Sequence, residues 1–395
     1  MAFGHKVAGK SKWWIWTAWA IVAAGLLILP PLAGAILTGK SLPQYLSLQP
    51  STLYVEHPPF SWPIFILLSL LILVCILPFL YRLVRTPGSS ASQLFPFPWW
   101  GWLGIVLIAL SWSLAWANID TQSGWQRYSF TPLWLGYILL LNALGVRRSG
   151  SCLMLEQPGK FLLLFPASAL FWWFFEYLNH FVHNWYYLGP PISPLTRILT
   201  ASLSFSTVLP AVLSTVYWMA TFHRMHRAYT HYWVLRVPYP RVFAVIGLVV
   251  STLSLFALGA WPGSFYPLVW VSPLIVLLSL QVLSGKRTVF SSLQEGDWRP
   301  FCLPALASLQ CGLCWELWNY GGMAPWKYNI PFVDRFHLFE MPLLGYAGYF
   351  PFGLECLLVA SLLGIEVYTA PAVSLSSKDN PINFSNSTDE YSKRE

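Results

Sequence analysis

The sequence predicts an all-α polytopic membrane protein of about ten transmembrane helices, eight of them in two parallel four-helix repeats. Three observations carry this. Of 395 residues 56% are hydrophobic and only 10% charged, whereas a water-soluble domain carries about a quarter charged residues. Apolar runs near twenty residues, the length that crosses ~30 Å of hydrocarbon as helix, recur along the whole chain. A short stretch rich in tryptophan, with a glutamate inside it, occurs twice. Alternation in ~10-residue segments is absent, which argues against an outer-membrane barrel.

The runs fall at about 13–37, 62–84, 98–118, 131–146, 161–180, 198–222, 241–260, 264–284, 300–318 and 336–366. The first follows Lys-rich MAFGHKVAGKSK and ends in LAGA at 32–35, small residues of the kind found at a signal cleavage site. It is longer than a usual signal core and reads as a retained helix. The fourth is short enough to tilt or to dip partway, and Pro351 is placed to bend the tenth. Residues 1–90 thus hold two N-terminal helices, 91–235 a first four-helix unit and 236–370 a second. The Ser-, Asn- and Asp-rich remainder, 371–395, reads as a disordered cytoplasmic tail. Its sequons at Asn383 and Asn386 would then face the cytoplasm.

Charge gives the orientation. In the ten-helix arrangement only Lys40, Arg127, Arg197, Lys327 and Arg335 lie opposite the N-terminal side; the other 18 of 23 Lys and Arg share it. By the positive-inside rule both termini are cytoplasmic, in a plasma (bacterial inner) membrane. The net charge of +8 is therefore a topology signal, and no nucleic-acid partner is expected. The partner class is membrane lipid; oligomeric state is not legible.

The repeated stretches are FFEYLNHFVHNWYY (174–187) and CWELWNYGGMAPWKY (314–328). Each has Glu, then Asn three residues on, then Trp-x-Tyr: Glu176, Asn179, Trp185, Tyr187 and Glu316, Asn319, Trp326, Tyr328. The likeness extends backwards, with 130–150 beside 265–288, and loosely forwards, with FSTVLPAV (205–212) beside FEMPLLGY (339–346). An even number of helices per copy keeps orientation, so the copies would be related by an axis along the membrane normal.

In this arrangement Glu176, Glu316 and Glu340 converge at one level, a turn below the outer surface, with Ser206 in the place of Glu340 in the first copy. Glu355, fifteen residues past Glu340 and ~22 Å along a straight helix, belongs near the inner end. An ionisable group at membrane depth costs ~2.5–3.5 kcal/mol on insertion scales and usually faces a cavity or a partner. Asn three residues after Glu shares its helix face. The plainer alternative is interfacial carboxylates satisfied by Trp and Tyr donors. The candidate catalytic residues are Glu316, Glu340 and Glu176; the candidate substrate-binding residues are Asn179, Asn319, Trp185, Tyr187, Trp326 and Tyr328. Most of the 23 tryptophans suit interfacial belts, while those beside the motif could wall a pocket that stabilises a cation.

Histidines and cysteines point elsewhere. His223, His226 and His231 resemble a histidine box of the membrane di-iron enzymes, but His180 and His183 fall on the opposite face. No metal site is expected, and the basic segment 223–241 suits anionic headgroups. His180 and His183, near Glu176, are possible proton carriers of the outer site. Cys311 and Cys314 form a lone CxxC on a membrane helix, read as small packing residues. There is no P-loop, no GxGxxG and no Asp-rich diphosphate motif, so no cofactor is expected.

Duplicated helices carrying acids and Trp-x-Tyr resemble the integral-membrane carotenoid enzymes, the heterodimeric-type lycopene cyclases and the carotenoid hydratases. The residues carrying the resemblance are FWWFFEYLN with NWYY, CWELWNY with WKY, and FEMP. The Pro-Glu-Glu of the cyclases is absent; FEMP has one acid. The resemblance implies acid-initiated chemistry on an isoprenoid double bond, with Glu316 and Glu340 as acid–base pair and Asn179 and Asn319 orienting. The competing expectation is a transporter or lipid-handling protein using the same glutamates. A structural membrane subunit is a third.

Overall fold

The computed structural model describes residues 13–88, 94–117, 125–189 and 192–367. The tail from 371 and its sequons lie outside the described residues. The chain is an all-α polytopic membrane protein. Its helices run α1 (Trp13–Leu37), α2 (Trp62–Arg85), α3 (Trp99–Trp116), α4 (Phe130–Ser149), α5 (Leu153–Glu156), α6 (Pro158–Val182), α7 (Pro194–Phe205) and α8 (Val208–Ala220). After them come α9 (His223–Tyr229), α10 (Pro240–Ala260), α11 (Pro262–Phe265), α12 (Ser272–Leu283), α13 (Arg299–Tyr320) and α14 (Tyr349–Leu362). Four very short strands complete it: β1 (Trp185–Tyr187), β2 (Trp326–Tyr328), β3 (His337–Leu338) and β4 (Met341–Pro342).

Among the described residues eight helical spans are long and apolar enough to cross a membrane, and a bent pair would make nine. The bend, 52°, separates Pro262–Val269 from Ser272–Leu283, where prolines 262, 267 and 273 interrupt the backbone ladder. α13 has the length of a span but is diluted by Gln310, Glu316 and Asn319. All ten segments expected from hydropathy are thus largely helical, with one correction. The tenth, expected from 336, begins as the β3–β4 hairpin and a 3-10 turn, and its α-helix starts only at Tyr349. Phe336 and Phe339 take left-handed conformations, φ 56° and 57°, which break a helix at those positions.

Chemistry at the ends is legible. Pro occupies the first turn of α2, α6, α7, α10, α12 and α13, where a missing N–H costs nothing. Ser193 caps α7, its Oγ accepting the Thr196 N–H at 3.2 Å. α7 and α8 read as one broken span. Ser168 of α6 bridges the break, donating to the Phe205 carbonyl and accepting the Leu209 N–H.

The packing centre is α8, buried along almost its whole length, against α4, α6 and α13. Trp134, Phe175, Tyr217 and Phe352 fill it. A polar knot ties three helices there: Tyr137 Oη to Thr215 Oγ1 at 2.9 Å, with Gln310 Nε2 donating to the phenol at 2.9 Å. Cys311 packs onto the same pair, in keeping with a packing role for the CxxC.

In lipid there is no hydrophobic drive between helices, so close backbone approach does the work. α1 crosses α10 at Gly34 and Gly259, where an added Cβ would strike the Phe256 and Pro31 carbonyls respectively. Lys40 then closes the crossing, its Nζ donating to the carbonyls of Gly259 and Ala260 at 2.9 and 3.1 Å. Replacing Gly259 by Leu should undock α1, with an overpacking cost of ~1–3 kcal/mol or more. The measurement is thermal unfolding in detergent, and a Tm within a degree of wild type would contradict the crossing.

The molecule has two ends that differ in what lies there. The β end holds the four strands; the α9 end holds α9 and the close of α14. The described chain begins and finishes at the α9 end. α2 differs from every other span in having no buried residue. Phe79 packs its ring on Tyr232, Trp298 and Phe301, and the backbone of the helix is tied near its two ends. Ser61 N–H donates to the Phe332 carbonyl at 2.9 Å at the β end. At the α9 end Arg224 donates to the carbonyls of Leu83 and Val84 at 3.0 Å, and Arg227 to that of Pro87 at 2.6 Å. Arg82 reciprocates toward the carbonyls of Ala228, Thr230 and His231. The basic segment thus caps a helix C-terminus, a use that its composition did not reveal.

Candidate functional site

The two repeated stretches meet at the β end. β1 pairs antiparallel with β2, Trp185 opposite Tyr328, Tyr186 opposite Lys327 and Tyr187 opposite Trp326. Each strand follows a helix that carries its glutamate. Each is fastened by its asparagine in the same way. Asn179 Nδ2 donates to the Trp185 carbonyl at 2.8 Å and its Oδ1 accepts the Trp185 N–H at 3.3 Å. Asn319 does so with Trp326, both at 2.8 Å. The asparagines therefore do not orient the carboxylates, as expected from spacing. They clamp the backbone of the Trp-x-Tyr segment and fold it over its own helix end.

That fold brings the aromatic donors onto the acids. Glu176 Oε1 accepts from Tyr187 Oη at 2.6 Å, Trp185 Nε1 at 3.0 Å and Trp172 Nε1 at 3.1 Å. Glu316 Oε1 accepts from Tyr328 Oη at 2.7 Å and Tyr349 Oη at 3.1 Å, and Trp326 Nε1 donates to Tyr328 Oη at 2.8 Å. Glu176 is 1% exposed and Glu316 0%. In both, Oε2 is buried with no hydrogen-bond partner. A carboxyl oxygen in that state is the natural seat of a proton, because a bare charge there would lack any counterpart.

Tyr349 was invisible to motif reasoning, yet a signal existed. Four residues before Glu176 stands Trp172; four before Glu316 stands Gly312. The Tyr349 ring lies against Gly312, in space that a Cβ there would invade. A phenol from α14 thereby supplies the donor that an indole supplies in the first unit.

Between the strand pair and α4, α6, α7 and α13 lies a cavity of about 260 Å³. Its wall includes Trp172, Trp185, Tyr187, Trp315, Trp326 and Tyr328, with Asn319 and Tyr349. Glu176 and Glu316 do not line it; their phenol donors do. Tyr187 and Tyr328 are held well above the usual phenol range, by burial first and then by the neighbouring glutamate. They keep their protons. A second, more apolar cavity of about 500 Å³ lies behind α2. No family model, curated protein or solved structure matches the chain.

The three acids expected at one level all lie at the β end, but none of them lines the cavity. Glu340, expected on the tenth helix, sits at the turn of the β3–β4 hairpin, where its Oε2 pairs with Lys327 Nζ at 3.3 Å. It acts on Glu316 through its charge and not through contact. Ser206 donates to its own helix at Leu203 and has no part in the cavity. Glu355 is in the middle of α14 and not near an end, 1% exposed, with neither carboxyl oxygen partnered.

The two histidines of the first stretch face away from the acids. His180 Nε2 meets the Ser47 carbonyl at 3.1 Å, and His57 Nε2 meets that of His183 at 3.2 Å. They anchor the 43–57 segment. His183 ends α6 in the left-handed conformation, φ 49°. Burial, and then the charges of His180, His57 and Lys40, pull its pKa down to about 4. A histidine that is neutral in the fold and titrates near 6.5 when unfolded leaves stability untouched above pH 6.5. Stability is lost as pH falls from 6.5 toward 4, on the order of 2–3 kcal/mol by linkage. His183→Asn, which tolerates this backbone conformation, should flatten that acid limb in unfolding experiments at pH 7 and pH 5. An unchanged slope would remove His183 as its source.

Proposed function

We propose that the chain is an integral-membrane enzyme performing acid–base chemistry on a lipophilic, isoprenoid or carotenoid-like substrate in the aromatic cavity of the β end. One observation carries the reading: two phenols, Tyr187 and Tyr328, line the cavity while their hydroxyls rest on buried carboxyls. The acid–base pair is then Glu316 with Glu176, each acting through its tyrosine, and Glu340 serves as a charge beside Lys327.

The proton arithmetic closes. In one unit the protonated carboxyl turns so that its O–H takes the place of Oε1 at the phenol oxygen. It gives its proton there as the phenol proton, released from that bond, passes to an alkene carbon, leaving a carboxylate and a carbocation. Indole faces around the cavity stabilise that cation. In the other unit, whose glutamate must be ionised at that moment, the phenol oxygen takes a proton from the neighbouring carbon as its own passes to Oε1 of the carboxylate. The double bond reforms, and the gained proton returns to the first unit before the next turnover. The substrate is isomerised or closed into a ring with no net redox change. Water captured in place of the second step would give hydration. The matched units, Glu–Asn–Trp-x-Tyr with a third donor at the same place, also support an internal duplication of 91–235 and 236–370.

Lipid extracted from the purified protein and identified by mass spectrometry is the first test. A bound polyene, converted on incubation, supports the enzyme; a polyene that returns unchanged defeats it. That second outcome is the lipid-handling alternative, which draws on the two cavities lying back to back. The orientation, with both termini cytoplasmic, is tested by cysteine labelling of intact cells. Met323→Cys should react from outside and Arg287→Cys should not; the reverse pattern would invert the topology.

A further inference from the structure

The two cavities share a wall. Trp185, Trp270, Tyr328, Met341, Gly345 and Gly348 line both. On one side of this partition the chamber is mixed in character; on the other it is almost wholly apolar. The chambers also differ in what closes them.

The first chamber carries two cations and, among its lining residues, no acid: Arg127 and Arg197. Both are placed by the same feature. Thr131 Oγ1 and Ser204 Oγ meet at 3.2 Å, joining α4 to α7. Arg127 precedes Thr131 by four residues, and Arg197 precedes Ser204 by seven, two helical turns. The arginines therefore stand on the β-end side of that bond, on facing walls of the chamber. Gln126 and Thr200 line it beside them. Neither guanidinium has a carboxylate partner among the described residues. A pair of half-buried guanidinium groups without a counter-charge, at the mouth of an aromatic pocket, suits an anion. Arg forks bind phosphate or carboxylate oxygens in a defined geometry.

The second chamber is walled toward lipid by α2, through Leu68, Ile72, Cys75, Phe79 and Leu83. This is the helix with no buried residue, hydrogen-bonded near its two ends and otherwise held by half-buried contacts such as Phe79 on Phe301. A hydrocarbon chain can pass from the bilayer into the space behind it without crossing a polar barrier.

We propose that the two chambers hold one amphiphile: an anionic head between Arg127 and Arg197, and an apolar chain lying past Trp270 and Tyr328 in the space behind α2. This deepens the proposed function by naming its substrate class as a lipid with a phosphate or carboxylate head, and it places a chain carbon beside the Tyr328 hydroxyl. It rests on that reading for the chemistry and not for the binding.

Binding is read by quenching of tryptophan fluorescence in detergent micelles, with geranylgeranyl phosphate, geranylgeraniol and inorganic phosphate as probes. The phosphate ester should bind at least tenfold more tightly than the alcohol, and inorganic phosphate should not displace it at millimolar concentration. Arg127→Gln with Arg197→Gln should abolish the tenfold difference while leaving the alcohol's affinity unchanged. Gly345→Leu, which fills the partition, should weaken the C20 ester and spare dimethylallyl phosphate. Variants are compared only where Tm matches wild type, and Arg197→Gln alone, on exposed α7, serves if the double variant does not fold. Equal binding of ester and alcohol overturns the proposal. So does an unchanged preference in the arginine variant, or displacement by inorganic phosphate, which would mark a free-anion site. Tight ester binding without turnover would instead defeat the enzyme reading and leave the amphiphile site standing. Turnover of a neutral polyene with no preference for the ester would do the opposite.

Discussion

Glu316→Gln is expected to lower turnover of the bound lipid by about 10²–10⁴-fold, the range that positioned proton transfer contributes. Fold and lipid affinity should stay as they are. Glutamine keeps the carbonyl that accepts from Tyr328 and Tyr349 but cannot give or take the proton. Tyr328→Phe should cost as much, because in this geometry the phenol and not the acid reaches the cavity. The double variant should be scarcely worse than either single, since a relay broken once is already broken. Glu340→Gln should cost little, as it severs only an ion pair with a half-exposed lysine. The assay is single-turnover conversion of the co-purified lipid. Full activity in Glu316→Gln, or a loss as large in Glu340→Gln, would return both acids to an interfacial role.

The second large effect is structural. Asn319→Ala should destabilise the β end by ~2–4 kcal/mol, because it orphans both the N–H and the carbonyl of Trp326, each worth about 1–3 kcal/mol when buried without a partner. Asn179→Ala removes the matching pair on Trp185. The two strands pair with each other, so the losses should not add. Once one strand is released, its partner has little left to hold, and the double variant should fall short of the sum by a kcal/mol or more. Additive losses would mean that the two clamps act on independent loops.

These two expectations mark where the sequence was readable. The apolar runs announced the spans because length against bilayer thickness is a one-dimensional property. The repeated Glu-x-x-Asn with Trp-x-Tyr announced the matched pair of buried glutamates because burying an acid twice in one way is costly. What could not be read was direction. Spacing puts Asn319 on the face of Glu316, but whether its amide turns to the acid or to the backbone of Trp326 depends on where 321–328 folds. Glu340 was misplaced because hydropathy averages over the hairpin at 337–342, whose break lies in two left-handed phenylalanines. Tyr349 was missed because its contact with Glu316 is long-range, and the only local trace is the absence of a side chain at Gly312.

The sparse attachment of α2 has a consequence for how the protein breathes. Amide exchange out of a helix normally follows the stability of the body it is packed in, and different cooperative units open at different free energies. α2 has no buried side chain and meets α13 through the ring of Phe79 on Phe301, so its opening free energy is set mainly by that half-buried contact and by its terminal ties, the Ser61 and Pro58 bonds to Phe332 and the arginines of α9. It forms a foldon of its own, able to swing out and return while the strand pair and both glutamates stay closed. Arg224→Ala should then speed exchange near residues 80–85 without touching that of α8, which would show the protein opening toward lipid in one part and staying shut in the other.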